Sequence, residues 1–191
     1  MIILPSTPSK IGVFISGGLD SALMYYLVLE ANKNLNHEII PYTIARTEGS
    51  KYFARPVIAL VHKHIGIPYK EPMVVGDPTL PGHLHVMSGG WSAKQAGCDQ
   101  IYIGVIKQLP EHDEGPHDFS KFQDDVVKMP LANFNKIQVL ELIVKNGLEG
   151  LFHITHSCST QEVGRCWNKC KGCEERSWAF FSLGITDPGV V

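Results

Sequence analysis

Ser16-Gly17-Gly18-Leu19-Asp20-Ser21 stands between an apolar run, Ile11-Gly12-Val13-Phe14-Ile15, and a second apolar run with helical character over residues 22–30. The order reads as strand, tight turn and helix start. Adjacent glycines let the backbone turn sharply and bring its N–H groups close to an anion, while a helix N-terminus adds unpaired donors and a favourable dipole. Together these outline a pyrophosphate site. The commoner nucleotide loop, Gly-x-x-x-x-Gly-Lys-Ser/Thr, occurs nowhere in the chain, and the turn holds no lysine. Ser16 and Ser21 offer hydroxyls instead, and Asp20 places a carboxylate beside the expected phosphates. That carboxylate would repel them unless it caps the helix, binds Mg²⁺ with the phosphates, or does both. An ordinary Gly-Gly turn with Ser or Asp as N-cap is the alternative.

Outward from the turn, residues 38–44 predict a second strand, and residues 52–64 a helix that Gly66 stops. Strands over 70–75 and 100–105 flank a third helix over 84–96, which Gly89-Gly90 would interrupt. Residues 106–129 carry Pro110, Pro116 and six acidic side chains and read as a loop with at most one short helix. A helix follows over 135–146, with Asn133 or Asn135 to cap it, Ile137, Leu140 and Val144 as its stripe and Gly147 to end it. Residues 152–155 would form the last strand. The alternation predicts an α/β fold, a doubly wound, mostly parallel sheet of about five strands whose ligand crevice lies beyond the carboxyl ends of the strands. The opening turn sits at such an end.

The chain has 191 residues, enough for one α/β unit over 1–155 and a smaller C-terminal segment over 156–191. A net charge of −2 and a pI near 6.5 leave no electrostatic footprint for nucleic acid, so no direct nucleic-acid partner is expected. No apolar run approaches the ~20 residues of a membrane span. Residues 1–10 hold two prolines where a signal peptide needs a longer apolar core, so a cytoplasmic protein is expected. A homodimer is compatible with the sequence, which does not fix the oligomeric state.

Cys158, Cys166, Cys170 and Cys173 fall within sixteen residues. Four thiolates at that spacing suit a tetrahedral, closed Zn²⁺ site that would staple a helix over 174–181 onto the domain. A redox Cys-x-x-Cys, buried unligated thiols and iron–sulfur ligation are the alternatives. Cys98 stands apart in sequence and reads as a core thiol.

The string from Ser16 to Ser21 resembles the Ser-Gly-Gly-x-Asp-Ser signature of the PP-loop ATPases, which split ATP to AMP and pyrophosphate while adenylating a carbonyl or carboxylate oxygen. A longer set carries the likeness further: Ile103-Gly104-Val105, Met129-Pro130-Leu131, Lys136, Thr155-His156-Ser157-Cys158, Cys166, Cys170, Cys173, Arg176, Ala179-Phe180, Gly184 and Asp187-Pro188. Together with the opening string it resembles the 7-cyano-7-deazaguanine synthase family, zinc-containing PP-loop enzymes of queuosine and archaeosine precursor biosynthesis.

The resemblance implies ATP-dependent conversion of 7-carboxy-7-deazaguanine and ammonia to the nitrile, through an adenylated carboxylate, an amide and a second activation. It implies that Ser16, Gly17, Gly18, Leu19, Asp20 and Ser21 hold the phosphates, that the carbonyl end of the second strand near Ile44 lies by the adenine, and that Lys136 and Arg176 stabilise charge. Lys136 as a solvated charge, and Arg176 paired with Glu174 or Glu175, are the alternatives. His112, His117, His153 and His156 are candidate proton shuttles, with a surface or satisfied histidine as the plainer reading of each. Two stretches depart from the family pattern, residues 45–50 after the second strand and residues 111–119 in the expected substrate loop. A ligase that stops at the amide or activates another carboxylate, an inactive nucleotide-binding partner and a tRNA thiolation enzyme are the rival functions. The last would need a basic face and a reactive cysteine outside the zinc set.

Overall fold

A computed structural model describes residues 2–44, 50–77, 79–80, 84–107, 123–160, 166 and 170–189. Residues 45–49 of the departing stretch 45–50, the substrate-loop stretch 111–119, His112 and His117 all lie outside the described residues. Five parallel strands, β1 (Lys10–Phe14), β2 (Glu38–Ile44), β3 (Met73–Val75), β4 (Gln100–Ile103) and β5 (Val127–Lys128), form one sheet in the order β3-β2-β1-β4-β5. Chain order runs from β1 outward to β3 and then crosses to β4 on the other side of β1. Such a reversal opens a crevice at the carboxyl end of the central strand, where the glycine turn follows β1.

β1 and β2 are buried on both faces, as central parallel strands must be. On one face Ile11, Val13 and Ile15 pack with α1 (Leu19–Ala31), α2 (Ser50–Ile65), α4 (Lys136–Lys145), α5 (Leu151–Ile154) and α6 (Lys171–Ser182). α1 lies at the centre of this layer, with Leu19, Leu23, Met24 and Val28 fully buried. On the other face Phe14, Ile40, Tyr42, Ile44, Cys98 and Ile101 meet Ala93 of α3 (Leu84–Gln95). Cys98 is thus a core thiol, beside the Tyr42 hydroxyl at 3.5 Å.

Gly89-Gly90 do not interrupt α3. A Cβ at Gly89 would stand 2.9 Å from a ring carbon of Phe14 and 3.1 Å from Ile44, so this glycine lets the helix lie close on the sheet. Asn135 caps α4 in a reciprocal capping box with Gln138. The expected strand over 152–155 is a correction: it is the short helix α5, closed by Leu151 N–H to Leu148 O at 2.8 Å and Thr155 N–H to Leu151 O at 3.0 Å. Phe152-His153-Ile154-Thr155 alternates apolar and polar over only four residues, too short a pattern to separate strand from helix. The fifth strand is β5, only two residues long, which Asp124 orders by accepting the Val126 and Val127 N–H groups. Among the described residues no helix is long and apolar enough to cross a membrane.

Candidate active site

The turn after β1 is shaped by its own side chains. The Ser21 hydroxyl donates to Gly18 O at 3.0 Å and accepts the Ser16 N–H at 3.1 Å, and its Oγ lies 3.0 Å from Ser16 Oγ. Ser21 therefore braces the loop from behind and is buried, whereas Ser16, Gly18, Leu19 and Asp20 line a cavity. Gly17 has φ 85°, and a Cβ there would meet Phe53 Cβ at 2.3 Å, so conformation and space both require glycine. Gly18 is the N-cap of α1 without any side-chain cap. Among the described residues no side chain caps the start of α1, where the dipole favours an anion.

Two elements close the cavity from other parts of the chain. Segment 156–159 passes beside the turn: the His156 N–H donates to Gly17 O at 2.9 Å, and the His156 ring stacks on Phe53 with centroids 4.2 Å apart. His156, Ser157, Cys158 and Ser159 line one wall with Gly172 and Glu175 of α6, and Lys136 completes a space of about 200 Å³. Gly172 is required where α6 crosses this wall, because a Cβ there would fall 2.1 Å from Ser157 O. His153, by contrast, is exposed on α5.

Lys136, the first residue of α4, is 4% exposed, so it is not a solvated charge. Its Nζ donates to both oxygens of Asp20, at 2.6 and 2.7 Å, and lies 3.3 Å from a Glu175 oxygen. Burial pulls the ammonium pKa down, but the charges and hydrogen bonds of Asp20 and Glu175 outweigh it, so the net shift is upward. Lys136 stays a cation with two carboxylates around it.

Arg176 stands one residue beyond Glu175 yet faces away from the cavity. It is 1% exposed, and its guanidinium donates to the Asp187 carboxylate at 2.9–3.1 Å, to Phe152 O at 2.6 Å and to Thr155 Oγ1 at 2.9 Å. Its ion pair is with Asp187, eleven residues on. Ile44 is buried against Phe14 and is likewise outside the cavity lining.

Cys158, Cys166, Cys170 and Cys173 form a buried group whose sulfurs all lie within 4.8 Å of one another, with Cys158 and Cys170 Sγ at 3.9 Å. Such a set could hold a metal ion. Burial raises the Cys158 thiol, but hydrogen bonds from Thr160 and Cys166 bring it down to about 7. Bonds from Ser159 and Cys173 likewise overcome burial at Cys170 and bring it to about 6. Thiolate, the metal-binding form, is accessible there near neutral pH.

The five-stranded parallel sheet with the glycine turn after its central strand is a PP-loop ATPase-like fold, as two solved structures show by similarity. The U34-tRNA thiolase NcsA from Methanococcus maripaludis, solved with its [4Fe-4S] cluster, superposes with a TM-score of 0.55 at 19% identity, covering 93% of this chain and 67% of that one. A 4-thiouridine synthetase solved with RNA and bound ATP gives 0.50 at 18% identity, over 75% of this chain and 42% of that one. In sequence, the relatives are proteins named 7-cyano-7-deazaguanine synthase. That of Leptospira interrogans is 23% identical, covering 95% of this chain and 90% of its own length, and one from Campylobacter jejuni is 25% identical, covering 91% and 94%. The likeness to that family therefore spans nearly the whole chain. No protein-family model matches it. Synthase relatives and the fold support an enzyme.

Sequence reasoning did not reach Glu175 as part of the site, nor Ser157, Ser159 and Gly172 as its wall. Gly172 within Cys-x-Gly-Cys was the available signal for close backbone approach; nothing in the sequence couples Glu175 to Lys136.

Proposed function

We propose that the chain is an ATP-dependent carbon–nitrogen ligase that converts 7-carboxy-7-deazaguanine and ammonia to 7-cyano-7-deazaguanine. The observation that carries this reading is the cavity itself, where the glycine turn, Lys136 and the segment leading into the cysteines converge. The relatives' shared name supports the acceptor.

A carboxylate resists attack by ammonia until one oxygen becomes a good leaving group. Its oxygen attacks the α-phosphorus of ATP and pyrophosphate departs; ammonia then displaces AMP, giving the amide and releasing a proton. The amide oxygen is adenylated in turn with loss of a second pyrophosphate. Departure of AMP and of two protons from nitrogen leaves the nitrile. No covalent nucleophile is needed, so positioning and electrostatics carry the catalysis. The amides of Gly18, Leu19 and Asp20 would hold the phosphates, Ser21 would keep the turn rigid, and Lys136 would offset charge on the departing group. Mg²⁺ would neutralise pyrophosphate, and Asp20, which lines the cavity, is the carboxylate suited to it. Arg176 acts as a positioning residue by fixing α6 and the 152–155 segment.

The cysteine geometry fits one tetrahedral zinc. A Zn–S bond of about 2.3 Å sets sulfurs about 3.8 Å apart, whereas a four-iron cluster carries each sulfur on a different iron and spreads them farther. We expect about one zinc per chain, read by elemental analysis, and no iron chromophore; an iron–sulfur absorbance in freshly purified protein would replace this assignment. A thiolation enzyme would need a reactive cysteine outside the set. Cys98 is buried, which raises its thiol pKa and makes it a poor candidate.

Incubation with 7-carboxy-7-deazaguanine, ammonium and Mg-ATP tests the function by mass spectrometry. Nitrile with two AMP per product is expected. Amide with one AMP would mark a ligase that stops halfway, and neither product would sink both versions.

A further inference from the structure

Phe53, near the start of α2, lies outside the cavity lining yet touches the turn and the wall beside it. Its Cβ packs against Gly17 and leaves no room for a side chain there, and its ring stacks on His156 with the two planes 10° apart. His156 in turn donates its N–H to Gly17 O at 2.9 Å and lines the cavity. Three elements, α2, the turn and segment 156–159, thus meet at Gly17. The peptide between Gly17 and Gly18 is flanked by two residues without a Cβ, so it can rotate as a plate at little steric cost. It is trans, and a trans peptide aims its N–H opposite to its carbonyl. With the carbonyl held by His156, the Gly18 N–H points toward Ser16 Oγ, 3.4 Å away, and both Ser16 and Gly18 line the cavity. A half-turn of the plate would replace that donor by a carbonyl oxygen, whereas backbone N–H groups are what an anion needs.

Resting on the ATP-splitting reading above, we propose that Phe53 is a positioning residue that keeps the Gly17–Gly18 peptide in its donor orientation by holding His156 against it. The stack fixes where the His156 backbone lies, and the His156 N–H fixes the peptide. Loss of the ring loosens both contacts together. Phosphate affinity then falls and the His156 amide opens to solvent, a pair of effects that general damage to the fold does not single out.

The test is a calorimetric titration with the magnesium complex of an ATP analogue carrying a methylene between its α and β phosphates. It is paired with amide hydrogen exchange followed by NMR on the same protein. Metal content and Tm are measured on every sample. In Phe53→Leu the Kd for the analogue should rise about tenfold, the size of one hydrogen bond to a charged group. The His156 amide should exchange faster by a larger factor than the amide of Val13 in β1. Phe53→Tyr, which keeps the ring, should match wild type in both readings. Unchanged analogue affinity in folded, metal-replete Phe53→Leu overturns the inference and leaves the ATP reading intact. Equal acceleration of the His156 and Val13 amides overturns it too, as does Phe53→Tyr binding as weakly as Phe53→Leu. If Phe53→Leu does not fold or loses its metal, Phe53→Met, apolar and unbranched, is read by the same criteria. Failure of the wild type to bind the magnesium complex removes the ATP reading and the inference together.

Discussion

Lys136 and Arg176 are both buried cations paired with carboxylates, yet they have opposite surroundings. Lys136 ends on a cavity wall between the carboxylates of Asp20 and Glu175. Arg176 spends its planar fork on fixed protein acceptors, with Phe180 5.2 Å below the guanidinium. Burial alone does not mark a functional cation. What separates the two is whether the partners are all satisfied within the protein or shared with open space.

The broadest test of this contrast is loss of the proposed metal, because α6 carries both Glu175, which lines the cavity, and Arg176, which does not. Cys170→Ser should forfeit most of a structural zinc's apparent binding energy, on the order of 10 kcal/mol, and yield insoluble or zinc-free protein by elemental analysis. A soluble, zinc-free variant that still binds Mg-ATP would uncouple the two regions.

Arg176→Met should lower stability by about 3–5 kcal/mol, because Asp187 is left without its cation. At this chain length that is a Tm drop of roughly 10 °C. Binding of the Mg-ATP analogue per folded molecule, followed by calorimetry well below Tm, should stay near wild type. Lys136→Met should show the reverse pattern, with kcat/KM for pyrophosphate release down about 10²- to 10³-fold, the range for removing one charge-stabilising donor. Near-wild-type turnover in Lys136→Met would make it a structural residue like Arg176.

Gly104 follows β4 behind the turn, and a Cβ there would stand 2.7 Å from Asp20 O. Gly104→Ala should cost about 1–3 kcal/mol by overpacking and weaken nucleotide binding, read from urea midpoints and titration on the same protein. Unaltered affinity would show that the turn tolerates displacement.

The smallest effect lies far from the site. His62 Nδ1 donates to Pro68 O, so Nε2 is the nitrogen that accepts the Tyr25 hydroxyl at 2.6 Å. Burial first, with the Lys70 charge behind it, holds the His62 pKa below its ordinary value against the Pro68 bond, which favours the charged form. The unfolded chain then takes up a proton near pH 6.5 that the folded chain refuses. This contribution is complete above that pH and declines as pH falls below it. Urea midpoints at pH 5.5 and 7.5 should differ less in His62→Gln than in wild type; an equal difference would place the titration elsewhere.

The turn was legible in the sequence because it is local. Two glycines, a hydroxyl on each side and a following helix specify a shape within six residues, and Gly17 and Gly18 serve as their type predicts. The cysteine set was legible for a similar reason, since few roles other than a metal site gather four thiols within sixteen residues. β2 was legible to its ends, because Ile39, Ile40, Tyr42 and Ile44 are apolar or aromatic and β-branched residues are common in it. Residues 152–155 were not, because Phe-His-Ile-Thr is too short a pattern to choose between regular structures and packing against α1 and α2 decided for helix.

From the sequence by itself came the glycine turn, the α/β alternation, the four thiols and the likeness to one synthase family. Lys136 and Arg176 could be named there but not told apart. Only the tertiary structure set them apart, by bringing Asp20, Lys136 and Glu175 to one cavity, the first two separated by 116 positions in sequence, and by turning Arg176 away from it to Asp187. Composition and spacing record what a side chain is, whereas charge coupling depends on distances that only packing sets.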